Sequence, residues 1–289
     1  MCPAADGTPP RRPFDLTACA RVSVEPRRLV VPSSARLDGV FRVDGEVFHH
    51  ATHVLRMRVG DRVLLLDGSG DEHECVISEV TAHAFLARIV ETRPGTVSRR
   101  LRIRLCCALL KGDHLDLVLQ KGTELGVTEF VFYHSERTVV RVAPADARTR
   151  TARWTRIVEG AVRQCRGLCV PAVSGPLEFG PMLALAANAD LALIPWEGDG
   201  SMTLPRLRDV VALQAPSGST GGEAEPLAVT RAQVVSLVIG PEGGFAAREI
   251  ALARAAGLCP VTLGDRVLRA ETAGVVVPAL LLFLSSDLG

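Results

Sequence analysis

The chain has 289 residues, 47% hydrophobic and 22% charged, enough to bury a core and too apolar to be disordered throughout. Its 33 Lys/Arg against 32 Asp/Glu leave a net charge of +1, so bulk charge gives no argument for nucleic acid. No apolar run approaches the ~20 residues that span a bilayer. The segment 1–26 has prolines and arginines but no apolar core of the secretory type, so it is read as a flexible extension on a cytoplasmic protein.

Residues 27–92 read as β structure. Short alternating segments at 63–66, 74–77 and 85–90 are separated by turn chemistry, with Asp67-Gly68-Ser69-Gly70-Asp71 as a hairpin signal. Their spacing predicts a small barrel. Within it, His49 and His53 stand four apart, but no carboxylate or cysteine completes a ligand set, so no metal is expected. Cys165 and Cys169 likewise lack a second pair. Residues 93–100, with Pro94 and Gly95, read as a linker.

Beyond the linker the rhythm changes to strand, helix, strand. Strands are predicted at 101–110, 129–133, 190–194, 234–239 and 261–263, with helices at 113–125, 146–166, 246–256 and 271–284. That alternation argues a mostly parallel sheet covered on both sides. Residues 214–232, rich in Pro, Ser, Gly, Thr and Glu, read as a mobile insertion. Eight cysteines lie scattered in apolar or helical pattern. Cys106 and Cys107, adjacent in one strand, must face opposite ways, and reduced thiols are the default in a cytoplasmic chain of this size.

The helix after Lys111-Gly112 is amphipathic. Leu115, Val118, Leu119 and Leu125 share one side; Asp116, Gln120 and Glu124 form a polar stripe that serves either solubility or an active-site edge. Charge is unevenly placed: residues 91–170 hold 15 Lys/Arg against 8 Asp/Glu, and residues 171–289 hold 7 against 12. A basic middle fits a polyanion on one face, and equally a set of solvated helix faces.

The most informative segments are Ile239-Gly240-Pro241-Glu242-Gly243-Gly244-Phe245 and Leu263-Gly264-Asp265-Arg266-Val267-Leu268-Arg269-Ala270-Glu271-Thr272-Ala273. Each follows an apolar run and leads into a helix. Glycine-bearing turns at neighbouring strand ends are where an α/β sheet places a ligand, and glycine lets backbone approach it closely. Neither segment is a Walker loop or a G-x-G-x-x-G turn, and no G-x-S-x-G elbow is present.

These two segments, with the helix at 111–127 and the basic stretch Arg137-Thr138-Val139-Val140-Arg141, follow the order and spacing of the bacterial 16S ribosomal RNA uracil-N3 methyltransferases of the SPOUT superfamily. The stretch from His49 through Asp61, with Asp67-Gly68-Ser69-Gly70, resembles their PUA-like RNA-binding domain. The similarity covers about residues 27–286. It departs from the family pattern at Cys165-Arg166-Gly167, where Cys-Gly-Arg is usual, and at Arg163, where an acidic residue is common.

The resemblance implies an α/β fold: a trefoil-knotted methyltransferase domain at 101–289 preceded by the PUA-like barrel at 27–92. It implies a homodimer that binds S-adenosylmethionine and methylates N3 of one uridine in 16S rRNA of the assembled small subunit, with no metal and no membrane. In that frame Ile194, Pro195, Gly240, Pro241, Glu242, Gly243, Leu263, Gly264, Val267 and Leu268 hold the cofactor. Arg269 stabilises charge on the uracil oxygens, and Glu271 either assists proton transfer or orients Arg269, or serves only as a helix N-terminal carboxylate near the dipole. RNA contacts fall to Arg27, Arg28, Lys121, Arg137, Arg141, Arg153, Arg163 and Arg166. The competing expectations are a related enzyme acting on another RNA site and a non-catalytic RNA-binding assembly factor.

Overall fold

The structure, a computed structural model, describes residues 26–94, 101–198, 203–213 and 234–285. The N-terminal extension up to residue 25, most of the expected linker and the 214–232 insertion lie outside the described residues.

The first sheet contains β1 (Arg27–Val30), β2 (Arg36–Leu37), β3 (Val40–Asp44), β4 (Arg62–Leu66), β5 (Glu72–Val80) and β6 (Ala84–Arg93), ordered β1-β4-β5-β6-β3-β2. Only β1 with β4 is parallel. Alternation turns Leu29, Phe41, Val43, Val63, Leu65, Ile77 and Phe85 into one core. The Asp67 carboxylate caps the β4–β5 turn by accepting from the Ser69 N–H and hydroxyl at 3.0 and 2.5 Å. Residues 45–54 depart from the all-β reading: α1 (Gly45–His49) runs on into a π-helical turn, His50–Val54. Val47, Phe48 and Ala51 are spaced for a helix, not a strand, and pack on the core. The His49 and His53 rings stack there at 4.1 Å, and no group of three metal-ligating side chains exists among the described residues.

The second sheet is wholly parallel, in the order β12-β10-β11-β7-β8-β9. In chain order its elements are β7 (Arg102–Ala108), α2 (His114–Leu125), β8 (Glu129–His134), α3 (Pro144–Cys165), β9 (Ala172–Glu178), α4 (Phe179–Ala187), β10 (Leu191–Pro195), α5 (Leu207–Leu213), β11 (Val234–Ile239), α6 (Ala247–Ala255), β12 (Cys259–Val261) and α7 (Ala270–Leu284). β9, α4 and α5 were not foreseen, and β12 begins two residues earlier than expected. Val261 still pairs with Pro195, whereas Thr262 has left for a bridge to Arg206.

Both faces of this sheet are buried, as a parallel sheet requires. Cys107 joins Ile103, Leu105 and Phe130 on one face, and Cys106 joins Val131, Tyr133 and Val238 on the other. The cysteines described are all free thiols; burial pushes Cys106 up to about 12, leaving it inert. Helix α7 packs on α2, β7 and β11. It comes close to α2 because residue 274 is glycine: a Cβ there would lie 3.1 Å from Val118 Cγ2. That approach sets the first turns of α2 and α7 side by side. No helix among the described residues is long and apolar enough to cross a membrane.

Candidate active site

Three turns leave the carboxyl ends of adjacent strands β10, β11 and β12, where open α/β sheets bind ligands. The turn after β11 is fixed from several directions. The Tyr133 hydroxyl donates to the Ile239 carbonyl at 2.9 Å, and the Lys111 N–H donates to Glu242 Oε1 at 2.8 Å. Phe245 folds over Gly240, where a Cβ would sit 2.9 Å from the ring. Gly244 holds φ +67, and an added Cβ would meet Glu197 Oε1 at 2.7 Å.

Buried Glu249 at the start of α6 ties this turn to the loop after β8. It accepts from the N–H of Ala246 at 3.0 Å, the hydroxyl of Ser135 at 3.1 Å and the N–H of Glu136 at 2.9 Å. Arg137, on the same loop, donates to the Gly243 carbonyl at 3.0 Å.

After β12, Gly264 takes φ +113 and its Cβ direction opens onto empty space. The loop then carries Val267 and Leu268 across the gap to β10 and ends at Arg269, the N-cap of α7. Between the three turns lies a cavity of two joined compartments, of about 310 and 360 Å³, sharing Pro195, Glu197, Val267, Leu268 and Ala273. The first adds Trp196, Thr262, Leu263, Gly264, Asp265 and Arg266; the second adds His114, the β11 turn from Ile239 to Phe245 apart from Gly243, and the first turn of α7. Aliphatic walls, bare backbone and a few carboxylates suit a mid-sized ligand with an apolar ring and a cationic end.

At the mouth, the Arg269 side chain is 81% exposed, and its guanidinium stands 4.0 Å from Glu271 Oε1. Glu271, on the first turn of α7, is buried near the positive end of the helix dipole. His114, the first residue of α2, puts Nδ1 3.1 Å from Glu271 Oε2. Beneath the pocket, burial holds the Cys107 thiol neutral, with Cys106 and then the Glu242 and Glu271 charges adding to the effect.

Eight of the ten expected cofactor residues line the cavity: Pro195, Gly240, Pro241, Glu242, Leu263, Gly264, Val267 and Leu268. Ile194 is turned fully into the core, and Gly243 lies outside the lining, against Arg137. His114, Glu197, Phe245 and Thr262 belong to the lining and were not singled out. The only hint of His114 in the sequence was its place just after Lys111-Gly112, where a strand hands over to a helix.

Comparison with known proteins assigns the chain to a family. A model of the RNA methyltransferase domain matches residues 97–282, and one of the RNA methyltransferase PUA domain matches residues 43–90. Ribosomal RNA small subunit methyltransferase E of Synechocystis sp. is 33% identical over 253 residues, 87% of this chain and 76% of that protein. The chain belongs to this family. The Mycobacterium tuberculosis member is 31% identical, covering 81% of this chain and 82% of its own. The Neisseria gonorrhoeae member, solved bound to S-adenosyl methionine, superposes with a TM-score of 0.71 at 29% identity, covering 90% of this chain and 98% of that one.

The arginines and the lysine expected to meet RNA are placed less uniformly. Arg137 and Arg141 flank the pocket turn; Arg141 donates weakly to the Ser135 carbonyl at 3.4 Å. Arg27 is exposed on β1, while Arg28 is ion-paired with Glu72. Lys121 is paired with Glu124 at 2.9 Å. Arg153 forms a two-pronged pair with Asp116 across the α2–α3 groove, and Arg156 reaches Glu46 of the first sheet's unit at 2.7 Å. Arg163 lies beside Glu159, and Arg166 caps the end of α3 with φ +59.

Proposed function

We propose that this protein methylates N3 of one uridine in 16S rRNA on the assembled small ribosomal subunit, acting in the cytoplasm as a homodimer. The carrying observation is the cavity between the three strand-end turns with Arg269 and Glu271 at its mouth. The residues present fit S-adenosylmethionine. Gly264 leaves bare backbone toward open space on the cavity wall, Val267 and Leu268 offer faces for an adenine, and Glu197 and Glu242 line the cavity for a cationic end.

Bound there, S-adenosylmethionine supplies a methyl carbon activated by the sulfonium. The chain must align uracil with that carbon, which is chiefly a positioning effect, and must stabilise the uracil as N3 gives up its proton. Arg269, exposed at the mouth and fixed at the helix start, is placed to donate to a uracil oxygen as negative charge develops. Arg137 and Arg141, on the loop tied through Glu249 to the cofactor turn, would take neighbouring phosphates.

Further support extends the reading. β11 inserted between β7 and β10, with α7 returning onto α2 and β7, suits a chain end threaded as a trefoil knot. Arg36 reaches Asp67 at 3.6 Å across the ends of the first sheet, as a barrel of the PUA type would need. The residues Val276, Leu280 and Phe283 leave an apolar stripe on α7 for a second copy.

Calorimetry with S-adenosylmethionine and mapping of the methylated nucleotide in RNA from a deletion strain test the reading. Micromolar binding and loss of one N3-methyluridine are expected. Absence of binding would leave a non-catalytic RNA-binding factor; a mark lost elsewhere would move the substrate.

A further inference from the structure

We propose that His114 is the base that removes the uracil N3 proton, with Glu271 as its orienting carboxylate. This rests on the methyl-transfer reading above and supplies the proton acceptor that the reaction needs. The His114 Nδ1 and Glu271 Oε2 atoms are both buried, stand 3.1 Å apart, and neither makes an aligned hydrogen bond to a described residue. A buried carboxylate oxygen and ring nitrogen facing each other are satisfied together by one tautomer, with the proton on Nδ1. That tautomer leaves the Nε2 lone pair free on the open side of a ring that is 43% exposed and lines the pocket beside Arg269. Catalytic contacts in an unliganded site are often poorly aligned and tighten when substrate binds.

Glu271 is badly placed to be the base itself. Its side chain is 12% exposed, with Oε2 toward His114 and Oε1 toward Arg269, so both oxygens are turned to protein groups. It is a positioning residue: it selects the tautomer and favours the imidazolium once formed, the logic of a carboxylate–histidine pair. The other charged groups lining the same cavity are Arg269 from α7, Glu242 from the β11 turn and Glu197 from the β10 turn, while Asp113, just before α2, lies in the α2–α3 groove and acts on Arg153.

In the step, the N3–H bond breaks and the proton passes to His114 Nε2. The electron pair left on N3 forms the bond to the methyl carbon, and the carbon–sulfur pair returns to sulfur, leaving neutral S-adenosylhomocysteine. Water then takes the proton from His114.

The test is single-turnover methyl transfer to small subunits, at saturating methyl donor, from about pH 5.5 to 9. The wild-type rate should fall on the acidic side as His114 becomes protonated. His114→Gln should lose roughly 10²–10³-fold at neutral pH and lose that limb. Glu271→Gln should lower the rate less than His114→Gln does and should keep the limb. His114→Lys separates a base from a fixed cation: it should be as slow as His114→Gln, and recovery of the wild-type rate would overturn the proposal. So would an unchanged profile in His114→Gln.

Two readouts do not depend on turnover. Nitrogen NMR of the unliganded protein should show the Nδ1–H tautomer at His114 and its loss in Glu271→Gln; the opposite tautomer would overturn the pairing. Calorimetry should show that His114→Gln still binds S-adenosylmethionine; loss of binding would make His114 a cofactor contact and overturn its role as the base. A wild-type protein that binds no S-adenosylmethionine defeats the methyl-transfer reading, while the tautomer still decides the pairing.

Discussion

At the ends of β10, β11 and β12, shape comes from backbone: glycines at positive φ, carbonyls held by Tyr133 and Arg137, a phenylalanine folded over Gly240. On α3 the conspicuous feature is side-chain charge, and several of those charges are already matched, Arg153 by Asp116 and Arg156 by Glu46. The turns present groups that are preorganised for a ligand. The helix presents cations that must first leave a carboxylate before they can hold a phosphate. Counting arginines therefore overstates what α3 offers to RNA, whereas the glycine turns mark their site directly.

The largest effect belongs to Arg269, 81% exposed at the pocket mouth and held only by a long 4.0 Å contact to Glu271. Arg269→Ala should lower single-turnover methyl transfer by roughly 10²–10³-fold, the usual cost of removing one preorganised donor to a developing anion. S-adenosylmethionine affinity, read by calorimetry, should stay within about twofold. A large loss of affinity with little change in rate would make Arg269 a cofactor ligand instead.

A smaller effect tests the backbone half of the comparison. Gly244→Ala puts a Cβ 2.7 Å from the present position of Glu197 Oε1, so the displaced carboxylate should cost donor affinity about 10-fold, on the scale of one hydrogen bond to a charged group. Gly257→Ala is the control: φ is +91 with open space around it, remote from the cavity. It should lower the melting temperature and leave donor affinity intact. Equal losses of affinity in both variants would mean that general destabilisation, not pocket shape, is being measured.

This difference also explains what could be read from the chain. The turns were legible because only particular residues tolerate their backbone, and the strands and long helices because their apolar periodicity is strong. The β9–α4 segment was not: Gly175 and Pro176 interrupt the strand, and α4 is only nine residues, buried through Met182, Leu183 and Ala186. Helix α1 was hidden inside a run of strands. The His114–Glu271 approach depends on two helices meeting 157 positions apart in sequence, through a glycine whose role is visible only in packing. Ion pairs such as Arg153 with Asp116 are equally non-local, 37 residues apart.

On the charged surface, Arg137→Ala should weaken small-subunit binding several-fold and reduce its salt dependence, since this arginine is exposed beside the pocket. Arg153→Ala should cost about twofold or less, because its partner Asp116 already neutralises it. Binding measured across a salt series separates the two. If Arg153→Ala matches Arg137→Ala in both affinity and salt slope, the Asp116 pair opens on RNA and α3 is a working part of the interface.

The smallest effect lies within α3. Burial raises the Glu159 carboxyl above its usual range, outweighing the opposing influence of Arg163 and Arg156, while Glu46 adds to the rise. A raised carboxyl favours the folded state only while protonated. The contribution is complete below the unfolded value of 4.5 and is lost as pH rises through the folded value. At neutral pH the ionised group therefore costs stability, and Glu159→Gln should raise the melting temperature by about 1 °C. The gain should shrink on acidification and vanish below about pH 4, where both proteins carry a neutral side chain. A gain that persists in acid would assign the effect to packing. A loss at neutral pH would show that Arg163 and Arg156 depend on this carboxylate, and that the charges of α3 are matched even more fully than its ion pairs indicate.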